Sequence, residues 1–171
     1  MKRAFIDKMK SGVKMDYIIR ELRENEHEIL GDFLYEAIYI PEGMEAPGKD
    51  IIEMPELQLY IADWGKEHDH CLVAEVNHHI VGAVWVRMMK DYGYVDDHTP
   101  SFAMSLYKEY RGRGIGTELM KRMLSLLKEK GYQKASLSVQ KENFAYKLYL
   151  KLGFEVILEN EEEFIMIKHL V

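Results

Sequence analysis

The stretch Tyr110-Arg111-Gly112-Arg113-Gly114-Ile115-Gly116-Thr117 governs how the rest of the chain reads. It follows an apolar run at residues 102–107 and opens an amphipathic run at 114–130. In that second run Ile115, Leu119, Met123, Leu126 and Leu127 recur at helical spacing, and Gly131 supplies a stop. A glycine-rich turn between a strand and a helix lets backbone approach a ligand closely. It also aims the unpaired N–H groups of the first helical turn, and the positive end of the helix dipole, at that ligand. Such a site suits a pyrophosphate. Three pyrophosphate patterns compete for it. A P-loop ends in Gly-Lys-Ser/Thr, whereas this turn runs on as Gly116-Thr117-Glu118 with no lysine. A dinucleotide fingerprint needs a third glycine where Thr117 stands, and it belongs near the first strand of its domain. The pattern Arg/Gln-x-x-Gly-x-Gly/Ala is matched by Arg111, Gly114 and Gly116.

Working outward, residues 17–22 read as a strand. Asn25 is placed to cap a helix running to about residue 40. Residues 41–55 carry three prolines and two glycines and read as a loop, and Pro55 opens a short helix that Gly65 stops. Residues 71–76 and 80–89 are strands around the turn Asn77-His78-His79, followed by a polar loop at 91–100. After the long helix, residues 134–139 alternate as a strand and 143–152 are helical up to Gly153. Strands at 154–158 and 164–169 close a hairpin around an acidic turn. The expected fold class is α/β: one domain over residues 1–171, with residues 1–15 as an N-terminal extension. Its central sheet is mixed and mostly antiparallel, covered by helices on both faces, in the order β-α-α-β-β-β-α-β-α-β-β.

The chain has 171 residues, enough for one domain with a real core. Its single cysteine, Cys71, allows no intrachain disulfide, and no apolar run reaches the ~18–20 residues of a membrane span. No signal-peptide pattern opens the chain, so a cytoplasmic protein without membrane attachment is expected. The net charge of −6 argues against a nucleic-acid partner. Its distribution is uneven: residues 16–70 hold 15 acidic against 4 basic side chains, and residues 107–151 hold 11 basic against 4 acidic. Two sub-surfaces facing ligands of opposite sign are implied.

A second signature lies downstream: Asn143, Ala145, Leu148-Tyr149 and Gly153-Phe154. With Met104-Ser105-Leu106 ahead of the glycine turn, and the two signatures in this order, the chain resembles the GNAT superfamily of acetyltransferases over residues 70–169. The resemblance implies acetyl-CoA as the acetyl donor substrate. Backbone groups of Met104 and Leu106 would pair with the pantetheine arm as an added strand, with Ser105 between them as a further cofactor-binding residue. Amides of Gly112, Arg113, Gly114, Ile115, Gly116 and Thr117 would hold the pyrophosphate, Arg111, Arg113, Lys141, Lys147 or Lys151 would meet the 3′-phosphate, and Asn143 would contact the cofactor arm. Tyr149 would lie near the thioester sulfur as the catalytic general acid.

The implied reaction is transfer of an acetyl group from acetyl-CoA to a primary amine of a small molecule or peptide, by direct attack in a ternary complex. A non-catalytic acyl-CoA sensor is the alternative reading. A cationic acceptor suits the acidic half, including Glu42, Glu45, Glu53 and Glu56. The residues around 101–107 offer no Glu or His as general base. Asp96, Asp97 and His98 upstream, and Glu36 and Tyr39 on the first helix, are the alternatives. The histidines match no zinc spacing, and no metal is expected. The sequence leaves the oligomeric state open, a homodimer included.

Overall fold

The computed structural model describes residues 15–171, so the expected extension, apart from Met15, lies outside the described residues. A seven-stranded sheet forms the centre, in the spatial order β1-β2-β3-β4-β5-β7-β6. The strands are β1 (Ile18–Glu21), β2 (His70–Val76), β3 (His79–Arg87), β4 (Ser101–Leu106), β5 (Lys134–Gln140), β6 (Glu155–Glu159) and β7 (Glu163–His169). Every neighbouring pair is antiparallel except β4 and β5, which run parallel. The expected mixed sheet is therefore present. The turn between β2 and β3 is built as expected on Asn77 and His78, both left-handed at φ 48 and 64.

Four helices cover the sheet. Helices α3 (Ile115–Glu129) and α4 (Ala145–Lys151) lie on one face; α1 (Ile29–Ala37) and α2 (Pro55–Gln58) lie on the other. Period-two alternation sorts the strands between two cores. Leu72, Ala74, Val84, Val86, Phe102 and Leu106 turn toward α3, while Val73, Ala83 and Trp85 turn toward α1. On α3, Ile115, Leu119, Met120, Met123 and Leu127 are buried. At about 1.5–3 kcal/mol per buried side chain, that stripe is what keeps the helix on the sheet. Leu126, expected on it, is half-buried at its margin, and Met120 takes the inner position. Cys71 lies in the α1-side core, and burial raises its thiol pKa far above the ordinary range.

The first helix differs from expectation. Asn25 does not cap it; it sits inside a 3-10 turn, Glu24–Glu26, and α1 begins only at Ile29. The reason is Arg20 on β1. Its guanidinium grips Glu26 through two 2.8 Å bonds and Glu75 on β2 through a third. Glu26 also accepts the Arg23 amide, which tightens the turn. Helix α2 is likewise shorter than expected, ending at Gln58. Beyond it the chain is pinned by Arg87, a buried cation at the end of β3. Arg87 meets Asp69 bidentately at 3.1 and 2.9 Å, donates to the carbonyls of Leu59 and Ala62, and lies over the Trp64 ring.

Two expectations follow. Asp69→Ala leaves the buried Arg87 charge unpaired and should cost about 3–5 kcal/mol in urea unfolding, while adding Arg87→Met should recover much of that loss. Arg20 holds the Glu26 carboxyl down to about 2 from 4.5. Its stabilising effect is complete above pH 4.5 and is lost as pH falls toward 2, so Glu26→Gln should flatten the acid limb of stability against pH.

Candidate functional site

Strands β4 and β5 pair at one position only, Ser101 with Ser136, where the Ser136 amide donates to the Pro100 carbonyl at 3.0 Å. Beyond it they separate, while β4 stays paired to β3 along its whole length. Backbone polarity alternates along a strand. Pro100 bonds toward β5, so the N–H and C=O groups of Phe102, Met104 and Leu106 lie along the open edge. These groups suit a ligand that bonds as a strand does. Met104 and Leu106 thus turn their backbone groups toward the opening. Ser105 does not: its Oγ donates to the Phe33 carbonyl at 2.6 Å and ties α1 to β4.

The glycine turn lies past the end of β4. Gly112 and Gly114 take φ values of 72 and 86, a region open to glycine at little cost, and Gly114 is the helix N-cap residue. The first helical backbone bond runs from Glu118 to Gly114, so the amides of Ile115, Gly116 and Thr117 have no partner within the helix. At Gly116 an added Cβ would meet Leu106 and Met104 at ordinary contact distances of 3.4 and 3.5 Å, so the turn packs directly on the end of β4. Arg111 does not point into the turn. Its Nε donates to the Leu106 carbonyl at 2.9 Å and its Nη2 meets the Glu36 carboxylate at 3.0 Å. It clasps the turn to β4 and to the end of α1. Arg113 lies against the Glu109 carbonyl and remains exposed.

Tyr149 lies on α4 and packs against the core on the α3 side of the sheet. Its ring packs on Phe154 at 5.9 Å, and Phe154 packs on Phe102 of β4 at 6.0 Å. This aromatic chain leads to the point where the strands part. Among the described residues no partner engages the Tyr149 hydroxyl, and burial pushes it up to about 12. Just ahead of α4, the Asn143 Oδ1 accepts the Ala145 amide at 2.9 Å, leaving Nδ2 as the group able to donate to a ligand.

The proposed bases divide. Asp96 is tied to Lys134 at 2.6 Å and to Thr99 and the His98 amide, which hold its pKa far down. Glu36 is paired to Arg111, and Asp97 accepts the Tyr94 hydroxyl. Sequence reasoning passed over three other groups, Tyr60, Asp91 and Glu163, which border the α1-side mouth of the opening. Among the described residues no cluster of three or more His, Cys, Asp or Glu is arranged to hold a metal, and no helix is long and apolar enough to cross a membrane.

The acetyltransferase (GNAT) family model matches residues 34–154. The chain belongs to that family. An acetyltransferase of Pectobacterium atrosepticum is 36% identical over 91 residues, covering 52% of this chain and 60% of that protein. The curated relatives reported are matched over 31% to 60% of their length. Among solved structures, the PaiA N-acetyltransferase of Thermoplasma acidophilum in complex with coenzyme A superposes with a TM-score of 0.67. It is 22% identical and covers 91% of this chain and 99% of that one. YncA of Salmonella typhimurium with acetyl-CoA gives a TM-score of 0.65 at 16% identity, covering 91% of this chain and 95% of that one.

Gly114→Ala forces a side chain into left-handed backbone and should cost about 1–2 kcal/mol in stability. It should also weaken coenzyme A binding, read as a smaller rise in melting temperature on adding coenzyme A.

Proposed function

We propose that this protein transfers the acetyl group of acetyl-CoA to a primary amine by direct attack within a ternary complex. The observation that carries this reading is the parting of β4 from β5 after Ser101 and Ser136, with Met104 and Leu106 offering strand-like partners on its edge. Those groups would hold the pantetheine arm. The amides of Ile115, Gly116 and Thr117, at the positive end of a 15-residue helix, would hold the diphosphate. The exposed cations Arg113, Lys147 and Lys151 suit the ribose phosphate.

Chemistry would take place where the parted strands meet. The Met104 N–H on the open edge would donate to the carbonyl oxygen, on which negative charge develops during attack. Collapse expels a thiolate, a good proton acceptor, and Tyr149 is suited to supply that proton. Its phenol carries its proton at pH 7, as any tyrosine does, and burial raises its pKa further, to about 12. The acidic segment across the sheet, with exposed Glu42, Glu45 and Glu53, would draw a cationic acceptor toward the mouth of the opening.

The test is turnover of acetyl-CoA with a panel of amines: small aliphatic and aromatic amines, a polyamine and peptides with free N-termini. Tyr149→Phe should lower kcat by about 10²–10⁴-fold with little change in KM for acetyl-CoA. If coenzyme A raises the melting temperature but no amine is acetylated, the chain is an acyl-CoA sensor instead. If coenzyme A leaves the melting temperature unchanged, the cofactor site itself is wrong.

A further inference from the structure

The segment joining β3 to β4 crosses from the end of β3 over the start of β4 to β5. Gly93 lies so close to β5 that an added Cβ would stand 3.0 Å from the Leu137 carbonyl carbon and 3.0 Å from the Ser138 nitrogen. The Ser136 hydroxyl donates to the Gly93 carbonyl at 2.7 Å, which fixes the crossing. The crossing lies on the α1 side, because Ser136 and Ser101 share the sheet face of Ser105, whose hydroxyl bonds α1. It sets Asp91 at the point where β4 and β5 part, on the face opposite Tyr149.

Asp91 Oδ2 accepts the Ser101 hydroxyl at 2.8 Å, and Asp91 Oδ1 is buried without a hydrogen-bond partner. The Gly93 amide also faces this carboxylate, but among the described residues no cation balances its charge. Tyr60, whose carbonyl is held by the Trp85 indole at 3.1 Å, presents its phenol to the same carboxylate. From the far side comes Glu163 at the start of β7, opposite Gln140 of β5 and sharing that sheet face. Its Oε1 has only a long 3.4 Å contact to the Gln140 amide. Among the described residues neither Asp91 nor Glu163 is in an ion pair, although every other carboxylate discussed above as a base has a partner.

We infer that Asp91 and Glu163 form a carboxylate pair that receives the reacting ammonium of the acceptor and takes up its proton, with Ser101 and Tyr60 positioning Asp91. This rests on the acetyl-transfer reading and deepens it. Ser101, Tyr60 and the Gly93 amide face Asp91, and the charges of Glu162 and Asp91 bear on Glu163. Burial raises the pKa of both acids, and for Glu163 the charges of Glu162 and Asp91 add to the effect. In the reaction one ammonium proton passes to the pair and leaves the nitrogen with its lone pair. That lone pair forms the C–N bond to the thioester carbonyl carbon. The C–S bond breaks with its electrons on sulfur, and sulfur takes the Tyr149 proton. The second nitrogen proton restores Tyr149 through solvent, and the pair releases the first to solvent.

Asp91→Asn, Glu163→Gln and the double variant would be assayed with the amine panel and acetyl-CoA across pH 5–9. Each single change should lower kcat/KM for the amine about 10²-fold near pH 7, and the double change should do little more, as residues acting together do. The acid limb of the wild-type profile should move upward toward the amine's own pKa. KM for acetyl-CoA and the melting-temperature rise with coenzyme A should not change. Singles that keep wild-type kcat/KM and acid limb overturn the pair, as do singles that lose the coenzyme A shift. Melting with the panel amines plus coenzyme A separates this inference from its parent. If the wild type acetylates nothing, yet amines raise its melting temperature and do so no longer in Glu163→Gln, the amine site stands and the transfer reading falls. If amines shift wild type and variants alike, the site is wrong.

Discussion

A single backbone hydrogen bond, from the Ser136 amide to the Pro100 carbonyl, marks where a continuous sheet becomes an open one. Three strands stand on one side of β4 and three on the other. Were β4 and β5 to zip up along their length, the edge groups of Phe102, Met104 and Leu106 would be satisfied within the protein and closed to a ligand. Left parted, all but the Leu106 carbonyl, which Arg111 takes up, carry the cost of unpaired backbone near a core, which water or a bound strand-like molecule must offset. A parallel pair joined through a long helix is well suited to this. The α3 connection holds the two strands in one sheet without requiring register beyond the first residue.

The parting has to be propped. On the α1 side, Ser105 holds the Phe33 carbonyl and Arg111 links the end of β4 to Glu36. On the α3 side, Phe102, Phe154 and Tyr149 fill the angle with ring contacts. Farther out, Arg87 fastens the residues after α2 to β3, and with them Tyr60. Stability and geometry are the same thing here. The buried Arg87–Asp69 pair is far from the glycine turn, yet it sets how the opposite wall of the opening stands.

Features written in local chemistry were legible from the sequence. Gly112 and Gly114 announced a left-handed turn because little else tolerates that backbone, and the α3 stripe announced its buried face. The second signature was legible through Leu148-Tyr149 and Gly153-Phe154, around which α4 and its stop are built. Features that depend on partners distant in sequence were not. Asn25 looked like a cap because nothing nearby reveals that Arg20 claims Glu26. Arg111 looked like a phosphate ligand because Glu36 lies 75 positions away. Asp91 read as one acid in a polar loop, since its setting depends on where the β3–β4 connection crosses β5. Ser105 sat inside a matching motif, and only the sheet's alternation shows that its backbone faces β3.

The single cysteine has a practical consequence. Cys71 is 7% exposed, lies within β2, and has its thiol pKa raised by burial, so the thiolate needed to attack an electrophile is scarce in the folded protein. Acetyl transfer would liberate a free sulfhydryl with every turnover. A chromogenic disulfide reagent added during the reaction should therefore register product with almost no background from the polypeptide, and a slow late rise in signal would report unfolding instead of catalysis.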